Sequence, residues 1–227
     1  MSSLVLVRHG ESLWNVERRV QGQSGSELSE RGRWQADLTG RLLEGMCEEP
    51  PLLASSDLDR AMETAEFVAK HLRVDIRTDE RLRERAFGDW TNRLVVDIER
   101  EDRERWDRWR RGEDVIAEVG GEDSAMVVAR VRSALRDLAA DADGGRVVCV
   151  THGGAIWHGT QALLGLRERV LGGVANCSVT EIGTDGDRAW LVAWNQVAHL
   201  PPELREIRRA VGGRPAGEPE ARDEPSA

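Results

Sequence analysis

Two short apolar runs, each followed by a histidine, constrain the fold of this chain more than any other feature. Residues 4–7 lead into Arg8 and His9, and residues 147–151 lead into His152. Unbroken apolar runs of this length are typical of central strands that are covered on both faces of a sheet. Because ligands bind at the ends of such strands, we expect the two histidines to meet at one sheet edge.

The other apolar patterns alternate between strand and helix. Further strands are predicted at residues 52–54, 74–76, 177–182 and 189–194. Helices are predicted after an N-cap at Ser29, from Asp59, over 94–111, through Val128, Val131, Leu135 and Leu138, and from about Gly154. The first of these helices is expected to bury a stripe formed by Trp34, Leu38, Leu42 and Met46. The order predicts an α/β fold with three layers: a mainly parallel central sheet with an antiparallel edge strand, and helices on both faces.

Length and composition indicate one acidic domain. The 227 residues are 40% hydrophobic, enough for a single core, and we assign residues 1–211 to it. Residues 212–227 are rich in Gly, Pro, Glu and Arg, so we expect a disordered tail there. The net charge of −9 argues against nucleic acid or an anionic membrane surface as a partner. The sequence contains no signal-peptide pattern, membrane-length apolar run or CxxC pair, which predicts a cytoplasmic protein.

Cationic side chains accompany the two histidines. Arg8 adjoins His9, and Arg60 lies near the start of the helix after the second predicted strand. His152 is followed by Gly153, whose backbone can approach an anion closely. A phosphoryl group spreads negative charge over three oxygens and needs several such donors. The pattern therefore predicts a phosphate site in which neutral His9 attacks phosphorus while the phosphate keeps His152 protonated.

Cleavage of a phosphate ester also needs a proton donor for the leaving oxygen. Glu84, which lies between Arg83 and Arg85 and shortly before Trp90, is the best candidate in the sequence. The neighbouring arginines leave a second interpretation open, in which Glu84 forms only a surface ion pair. We predict the catalytic role.

Four blocks, in this order, resemble the histidine phosphatase superfamily, the group that includes the phosphoglycerate mutases. They are Arg8-His9-Gly10-Glu11-Ser12, the segment from Ser56 to Arg60, Leu82-Arg83-Glu84, and Thr151-His152-Gly153-Gly154. The resemblance extends over about residues 4–195 and implies a phosphoglycerate mutase-like fold with a covalent phosphohistidine on His9. Glu84 is implied as proton donor and then as base for the attacking water. The implied phosphate or substrate contacts are Arg8, Asn15, Arg60, His152 and Gly153.

Shorter segments resemble the actinobacterial glucosyl-3-phosphoglycerate phosphatases. They are residues 20–23, 27–30, 120–122 and 172–176. By this resemblance Gln21 and Gly22 line the substrate site. Departures from the family pattern at 24–26 and 91–93 are expected near the leaving group, where they affect specificity rather than reaction type.

Together these features predict a metal-independent phosphomonoester hydrolase without a cofactor. Its substrate is expected to be a small phosphorylated sugar or phosphoglycerate derivative, with glucosyl-3-phosphoglycerate as the leading candidate. A mutase and a non-catalytic phospho-ligand-binding domain are the alternatives, and a homodimer stays open. Hydrolysis is favoured over the mutase because the proline-rich insertion of the cofactor-dependent mutases is missing after residue 93.

The other histidines and the charged segment receive simpler interpretations. His71, His158 and His199 are assigned no catalytic role, since no motif surrounds them. In residues 99–111, arginines alternate with acidic residues, which predicts a solvated helix held by i,i+4 ion pairs. Its tryptophans, Trp106 and Trp109, are expected to pack against the domain, with a hydrophobic lid over the substrate as the alternative.

Overall fold

The computed structural model describes residues 1–167 and 170–205, and in this part of the chain six strands form one sheet. The strands are β1 (Ser2–Arg8), β2 (Leu52–Ser55), β3 (Ile76–Thr78), β4 (Arg146–Thr151), β5 (Val179–Asp185) and β6 (Arg188–Gln196). Their order across the sheet is β3-β2-β4-β1-β5-β6. The first four in this order run parallel, whereas β5 and β6 pair in antiparallel fashion at one edge. The predicted sheet is confirmed.

Helices cover both faces of the sheet. They are α1 (Leu13–Val16), α2 (Glu30–Met46), α3 (Asp59–Leu72), α4 (Val95–Glu101), α5 (Arg103–Arg110), α6 (Ser124–Asp141) and α7 (Gly153–Leu164). Alternate residues of β1 point to opposite layers: Leu4 and Leu6 pack with α6 and α7, whereas Val5 and Val7 pack with α2 and α3. This alternation produces the three predicted layers. Among the described residues, no helix is long and apolar enough to cross a membrane.

The register of the two central strands brings the predicted site together. β1 and β4 are parallel neighbours, and Arg8 lies opposite Thr151 in the ladder. The next residues, His9 and His152, therefore leave the sheet side by side at the carboxyl ends of their strands. The segment Ser56 to Arg60 reaches the same edge, because β2 pairs with β4 and ends at Ser55.

Helix α2 differs from the sequence-based expectation in the face that it buries. Ser29 caps it as predicted, and three residues of the predicted stripe are partly buried against the core: Leu38, Leu42 and Met46. Trp34, however, is 65% exposed, and the fully buried positions include Gln35, Ala36 and Thr39. Glycines explain the difference: a Cβ at Gly32 would lie only 2.0 Å from a backbone oxygen of the neighbouring chain segment. Small and polar residues, which an apolar pattern does not register, therefore form the contact face. In α6 the correction is smaller, since Val127 is buried instead of Val128.

The charged segment 94–111 forms two helices instead of one. The break lies at Asp102, whose carboxylate accepts a hydrogen bond of 2.9 Å from Nε1 of Trp90. Trp106 and Trp109 pack on Trp90 as predicted. One ion pair of α5 has i,i+4 spacing, but other arginines of the segment pair with nearer or more distant carboxylates.

Several strand boundaries also shift. β3 begins at Ile76 instead of ending there, and the hairpin strands β5 and β6 extend toward a shorter turn at Gly186 and Asp187 than predicted. The tail predicted at residues 212–227 lies outside the described residues, as does the end of the domain assigned to 1–211.

Candidate active site

His9 and His152 lie together at the sheet edge, with 5.2 Å between their ring centroids. Both side chains are buried. The two imidazoles come from positions far apart in sequence, and the parallel pairing of β1 with β4 is what joins them. The two histidines therefore meet at one sheet edge, as the predicted phosphate site requires.

The protonation of His9 follows from its two neighbours. Its Nδ1 lies 2.7 Å from the backbone oxygen of Gly10, and its Nε2 lies 3.2 Å from Nε of Arg60. A carbonyl oxygen only accepts and a guanidinium only donates, so Nδ1 carries the proton and Nε2 keeps its lone pair. Burial, followed by the charges of Arg60 and Arg8, lowers the pKa of His9 well below its usual value. His9 is thus held as a neutral ring with Nε2 unprotonated.

His152 is fully buried, and its ring packs beside that of His9. Its Nε2 lies 2.8 Å from Oγ of Ser56, and its Nδ1 is buried without a hydrogen-bond partner among the described residues. Burial, and then the charge of Arg60, lowers the pKa of His152 well below its usual value. A cationic His152, as the sequence-based mechanism requires, therefore needs the negative charge of a phosphate beside it.

Two arginines supply fixed positive charge beside the histidines. Arg60 is nearly fully buried, and its Nη1 and Nη2 donate to the backbone oxygens of Ser24 and Gly22, each at 2.8 Å. Burial lowers the pKa of Arg60 to about 10, so it remains charged at neutral pH. Arg8 donates from Nη1 to the backbone oxygen of Val174 at 2.6 Å, and its Nε is buried without a partner in the described chain.

The loop after Val20 contacts Arg60 directly. Gly22 has a φ of +57°, a conformation that glycine adopts at low cost, and this turns its carbonyl toward the guanidinium. The stretch 24–26 was expected to lie near the leaving group, but the carbonyl of Ser24 binds the same arginine. This departure from the family pattern therefore touches the predicted phosphate end as well.

Glu84 lines the same cavity and is held there by two backbone amides. Its Oε1 accepts from the amide of Arg85 at 2.8 Å, and its Oε2 accepts from the amide of Gly154 at 3.1 Å. A Cβ at Gly154 would lie 2.2 Å from Oε1, so glycine is needed for this close approach. The surface ion pair considered for Glu84 is not formed: its arginine neighbours Arg83 and Arg85 pair with Asp57 and Asp114.

These groups open into one cavity of about 300 Å³. The predicted site residues in its wall are Arg8, His9, Asn15, Gln21, Gly22, Arg60, Glu84 and Gly153. The outer wall includes the apolar residues Phe87, Trp109, Trp157 and Leu171 and the polar residues Arg19, Arg85, Glu113, Asp114 and His158. The described residues include no group of three or more His, Cys, Asp or Glu side chains placed to hold a metal ion.

Asn15 and Gln21 both form hydrogen bonds with Ser12. The amide of Ser12 donates to Oδ1 of Asn15 at 3.1 Å, and its hydroxyl lies 2.9 Å from Oε1 of Gln21. Asn176 donates from Nδ2 to the backbone oxygen of His9 at 2.9 Å. Sequence reasoning gave no role to Asn176 or Ser12, although both lie in segments that carried the resemblance.

The three histidines without an assigned role lie in different places. His158 lies in the cavity wall beside Trp157, with the two rings edge to face at 4.9 Å, although the sequence gave it no role. His71 and His199 lie elsewhere, where His71 pairs with Asp37 and His199 lies 3.0 Å from Oγ1 of Thr39.

Comparison with known proteins agrees with this geometry. The family model of the histidine phosphatase superfamily (branch 1) matches residues 4–197. Phosphoglycerate mutase-like protein 4 of Arabidopsis thaliana is 34% identical, covering 93% of this chain and 92% of that protein. A probable phosphoglycerate mutase of Salmonella paratyphi A is 35% identical, covering 92% and 100%. The structure of a mycobacterial glucosyl-3-phosphoglycerate phosphatase superimposes with a TM-score of 0.78 at 35% identity, covering 86% of this chain and 99% of that one.

Proposed function

The chain belongs to the histidine phosphatase superfamily, and on this premise we propose that it hydrolyses the phosphate ester of a small phosphorylated sugar or phosphoglycerate derivative in the cavity above His9. The reaction class follows from the family and from the phosphatases among its structural relatives: the protein is a phosphomonoester hydrolase that works through a phosphohistidine. The observation that carries the proposal is the unprotonated Nε2 of His9, held between Arg60, Arg8 and the ring of His152.

In the first proposed step, Nε2 of His9 bonds to phosphorus as the ester P–O bond breaks. Nε of Arg60 now donates to Nε2, so the incoming phosphoryl oxygen would replace that nitrogen as acceptor. Arg8 and His152 each have a buried, unpartnered nitrogen that suits another phosphoryl oxygen. Glu84 gives its proton to the departing alkoxide oxygen.

In the second proposed step, water attacks the phosphorus of the phosphohistidine. Its oxygen bonds to phosphorus, the P–N bond to His9 breaks, and Glu84 takes the proton of the water. Inorganic phosphate leaves, and both residues return to their starting states. The steps use side chains alone, so we propose that neither a metal nor another cofactor takes part.

The leading candidate substrate is glucosyl-3-phosphoglycerate, because a phosphatase of that substrate is similar in both sequence and structure. The cavity wall beyond Glu84 supports a sugar-sized leaving group, since it offers aromatic faces on Trp109 and Trp157 beside polar groups. Nucleic acid is not proposed as a partner, given the net charge of −9, and we propose a cytoplasmic location.

A mutase is the second candidate, because similar curated proteins are named phosphoglycerate mutases. A mutase must return the phosphoryl group to a bound phosphoglycerate before water reaches it. Interconversion of 2- and 3-phosphoglycerate that outpaces phosphate release would therefore favour this candidate over hydrolysis.

We also propose a homodimer that forms through β6. This strand is the outer edge of the sheet, and Trp190, Leu191 and Val192 are exposed on it in succession. Antiparallel pairing of two copies about Val192 would place Arg188 opposite Gln196, so no like charges meet. Light scattering should give twice the chain mass, and Val192→Lys should lower it to that of one chain.

The decisive experiment is a phosphatase screen with a chelator present, ranked by kcat/KM over sugar phosphates and phosphoglycerates. His9→Ala should lower kcat/KM by roughly 10⁴-fold or more and leave no labelled phosphate trapped on the protein. His71→Ala is the matched control, because that histidine pairs with Asp37 away from the cavity, and it should keep full activity. An active His9→Ala variant would refute the mechanism.

A further inference from the structure

Glu84 lies on a segment that has no regular secondary structure of its own. Residues 84–87 connect two 3₁₀ turns, so neither a helix nor a strand fixes their backbone groups. Backbone carbonyls and amides that are withdrawn from water need partners from elsewhere. The position of the Glu84 carboxylate over the pocket therefore depends on whatever side chains hold this segment.

One side chain, Arg130 of α6, holds three carbonyls of this region. Its Nη1 donates to the backbone oxygens of Arg81 at 2.9 Å and Arg83 at 2.6 Å, and its Nη2 donates to that of Glu84 at 2.9 Å. The guanidinium is planar and rigid, so three carbonyls bound to it keep a fixed arrangement relative to α6. The side chain of Arg130 is only 17% exposed, which strengthens each of these bonds.

Glu122 binds both Arg130 and the backbone of the segment 84–87. Its two oxygens accept from Nε and Nη2 of Arg130, each at 2.8 Å, and Oε2 also accepts from the amide of Ala86 at 2.8 Å. Gln23 donates from Nε2 to the backbone oxygen of Glu84 at 3.2 Å and lies 3.3 Å from Oε2 of Glu122. The peptide groups on both sides of Arg85 are thus tied to one ion pair.

The ionisation of Glu122 agrees with this role. Burial alone would raise the pKa of its carboxyl, but the hydrogen bonds from Arg130 and from the amide of Ala86 lower the pKa below its ordinary value. Glu122 is therefore a carboxylate at neutral pH, and it neutralises Arg130 beside the site.

We propose that Arg130 and Glu122 are positioning residues for the proton transfer: they hold the backbone of Glu84 so that its carboxyl reaches the leaving oxygen. The proposal rests on the proposed role of Glu84 as proton donor. Neither residue lines the cavity, so neither is expected to contact substrate. Their effect is expected in a step that needs the proton, because a displacement of about 1 Å in a reacting group can cost 10²-fold in rate.

The leaving group of the substrate tests this proposal. An alkyl phosphate such as glycerol phosphate needs a proton on its leaving oxygen, whereas the nitrophenolate of p-nitrophenyl phosphate leaves without one. Arg130→Met should lower kcat/KM by about 10- to 100-fold for the alkyl ester, part of the range that general acid catalysis contributes. For p-nitrophenyl phosphate the same variant should lose no more than about threefold, since phosphate binding and His9 are untouched.

Two further variants separate geometry from charge and from folding. Arg130→Lys keeps the positive charge but has one ammonium in place of a planar fork, so it should resemble Arg130→Met and not restore activity. Glu122→Gln can still accept from Ala86 and should show the same selective loss, about three- to tenfold smaller than the loss in Arg130→Met. If Arg130→Met does not fold, the comparison of the two esters with Glu122→Gln tests the positioning role by itself.

The matched control is Asp137→Asn. Asp137 of α6 pairs with Arg81 at 2.6 Å, so it also joins α6 to the segment before Glu84, but it touches no group of Glu84 itself. This variant should lose less than twofold with either substrate, as an exposed ion pair would.

Glu84→Gln distinguishes failure of this proposal from failure of the proposed function. If Glu84→Gln lowers kcat/KM, which reports the steps up to departure of the alcohol, equally for both esters, Glu84 is not the proton donor and the premise fails. If Glu84→Gln is selective for the alkyl ester but Arg130→Met and Glu122→Gln are not, the premise stands and the positioning role is wrong.

Discussion

The two ends of the cavity are built in different ways. At the phosphate end, Arg8 is the last residue of β1, and His9 and His152 directly follow the adjacent parallel strands β1 and β4. Arg60 lies in the first turn of α3, the helix that follows the neighbouring strand β2. At the leaving-group end, the wall comes from the segment 84–87, the end of α5 and the loop after α7. The sheet therefore fixes the first end, whereas long-range side-chain contacts fix the second.

The electrostatic character of the two ends differs in the same way. The phosphate end buries two arginines against neutral histidines, with no carboxylate paired to either arginine among the described contacts. At the leaving-group end, Arg85 pairs with Asp114 and Glu113 pairs with Arg108, so the charges cancel locally. A site with two buried cations selects for an anion, while a neutralised aromatic wall selects for shape.

Arg60→Met gives the largest expected effect of the substitutions that test this contrast. It removes the buried cation that faces Nε2 of His9, and we expect kcat/KM to fall by about 10²- to 10³-fold for every substrate. The inhibition constant of inorganic phosphate should rise along with this loss, because phosphate contacts only this end. Steady-state kinetics with and without added phosphate measure both quantities.

A matched arginine provides the control for this test. Arg33 forms an ion pair with Glu63 on the surface of the same helical layer, and Arg33→Met should change kcat/KM by less than twofold. The contrast between the two ends would be lost if Arg60→Met impaired some leaving groups strongly and spared others.

Gly154→Ala tests the place where the two ends meet. The added Cβ would lie 2.2 Å from Oε1 of Glu84, so the carboxylate has to move off the amide of residue 154. We expect kcat/KM to fall by about 10- to 100-fold, within the contribution of general acid catalysis. The inhibition constant of phosphate should stay within about twofold. Gly45→Ala on α2, with nothing within 4 Å of the added atom and no part in the cavity wall, is the control.

The difference between the two ends also decides how much the sequence could predict. His9, His152, Arg8 and Arg60 were predictable because apolar runs mark the strands, and parallel strands deliver their following residues to one edge. The helix cap at Ser29 was predictable from the same kind of local pattern.

The remaining features depend on contacts that no local pattern encodes. Arg130 lies 46 residues from Glu84 in the chain, and on α6 it looks like any charged residue of a solvated face. Trp34 was placed in the core because it is large and apolar, yet glycines on the neighbouring face allow a closer approach of α2. Tertiary packing decides which residues of a helix are buried and which distant side chains meet. Predicting this requires the structure of the surface on which the helix packs.

The buried histidines lower the free energy of unfolding at low pH. The pKa values of His9 and His152 are lowered below the unfolded value of about 6.5, mainly by burial, and that of His199 is lowered to about 4. Below pH 6.5 the unfolded chain therefore binds protons that the folded chain does not, so the free energy of unfolding falls as pH falls. Each such histidine contributes a slope of up to about 1.4 kcal/mol per pH unit.

Denaturant unfolding between pH 6.5 and 5.5 measures this slope. His9→Gln removes one titrating ring and should reduce the slope by up to about 1.4 kcal/mol per pH unit, while stability at pH 7.5 changes little by this mechanism. An unchanged slope in His9→Gln would mean that the ring is protonated in the folded protein, contrary to its contact with Arg60.

Trp157→Phe should have the smallest effect and should act only at the leaving-group end. The indole Nε1 donates to the backbone oxygen of Leu171 at 3.1 Å, which links the first half of α7 to the loop that forms the far wall. Phenylalanine keeps an aromatic face but loses this bond, worth about 0.5–1.5 kcal/mol, so we expect KM for a sugar phosphate to rise about two- to tenfold. The inhibition constant of phosphate and kcat/KM for a small ester such as methyl phosphate should not change, because neither ligand reaches that wall. If KM for the sugar phosphate and the inhibition constant of phosphate rose by the same factor, the two ends of the cavity would be coupled. The distinction between a phosphate end and a leaving-group end would then be wrong.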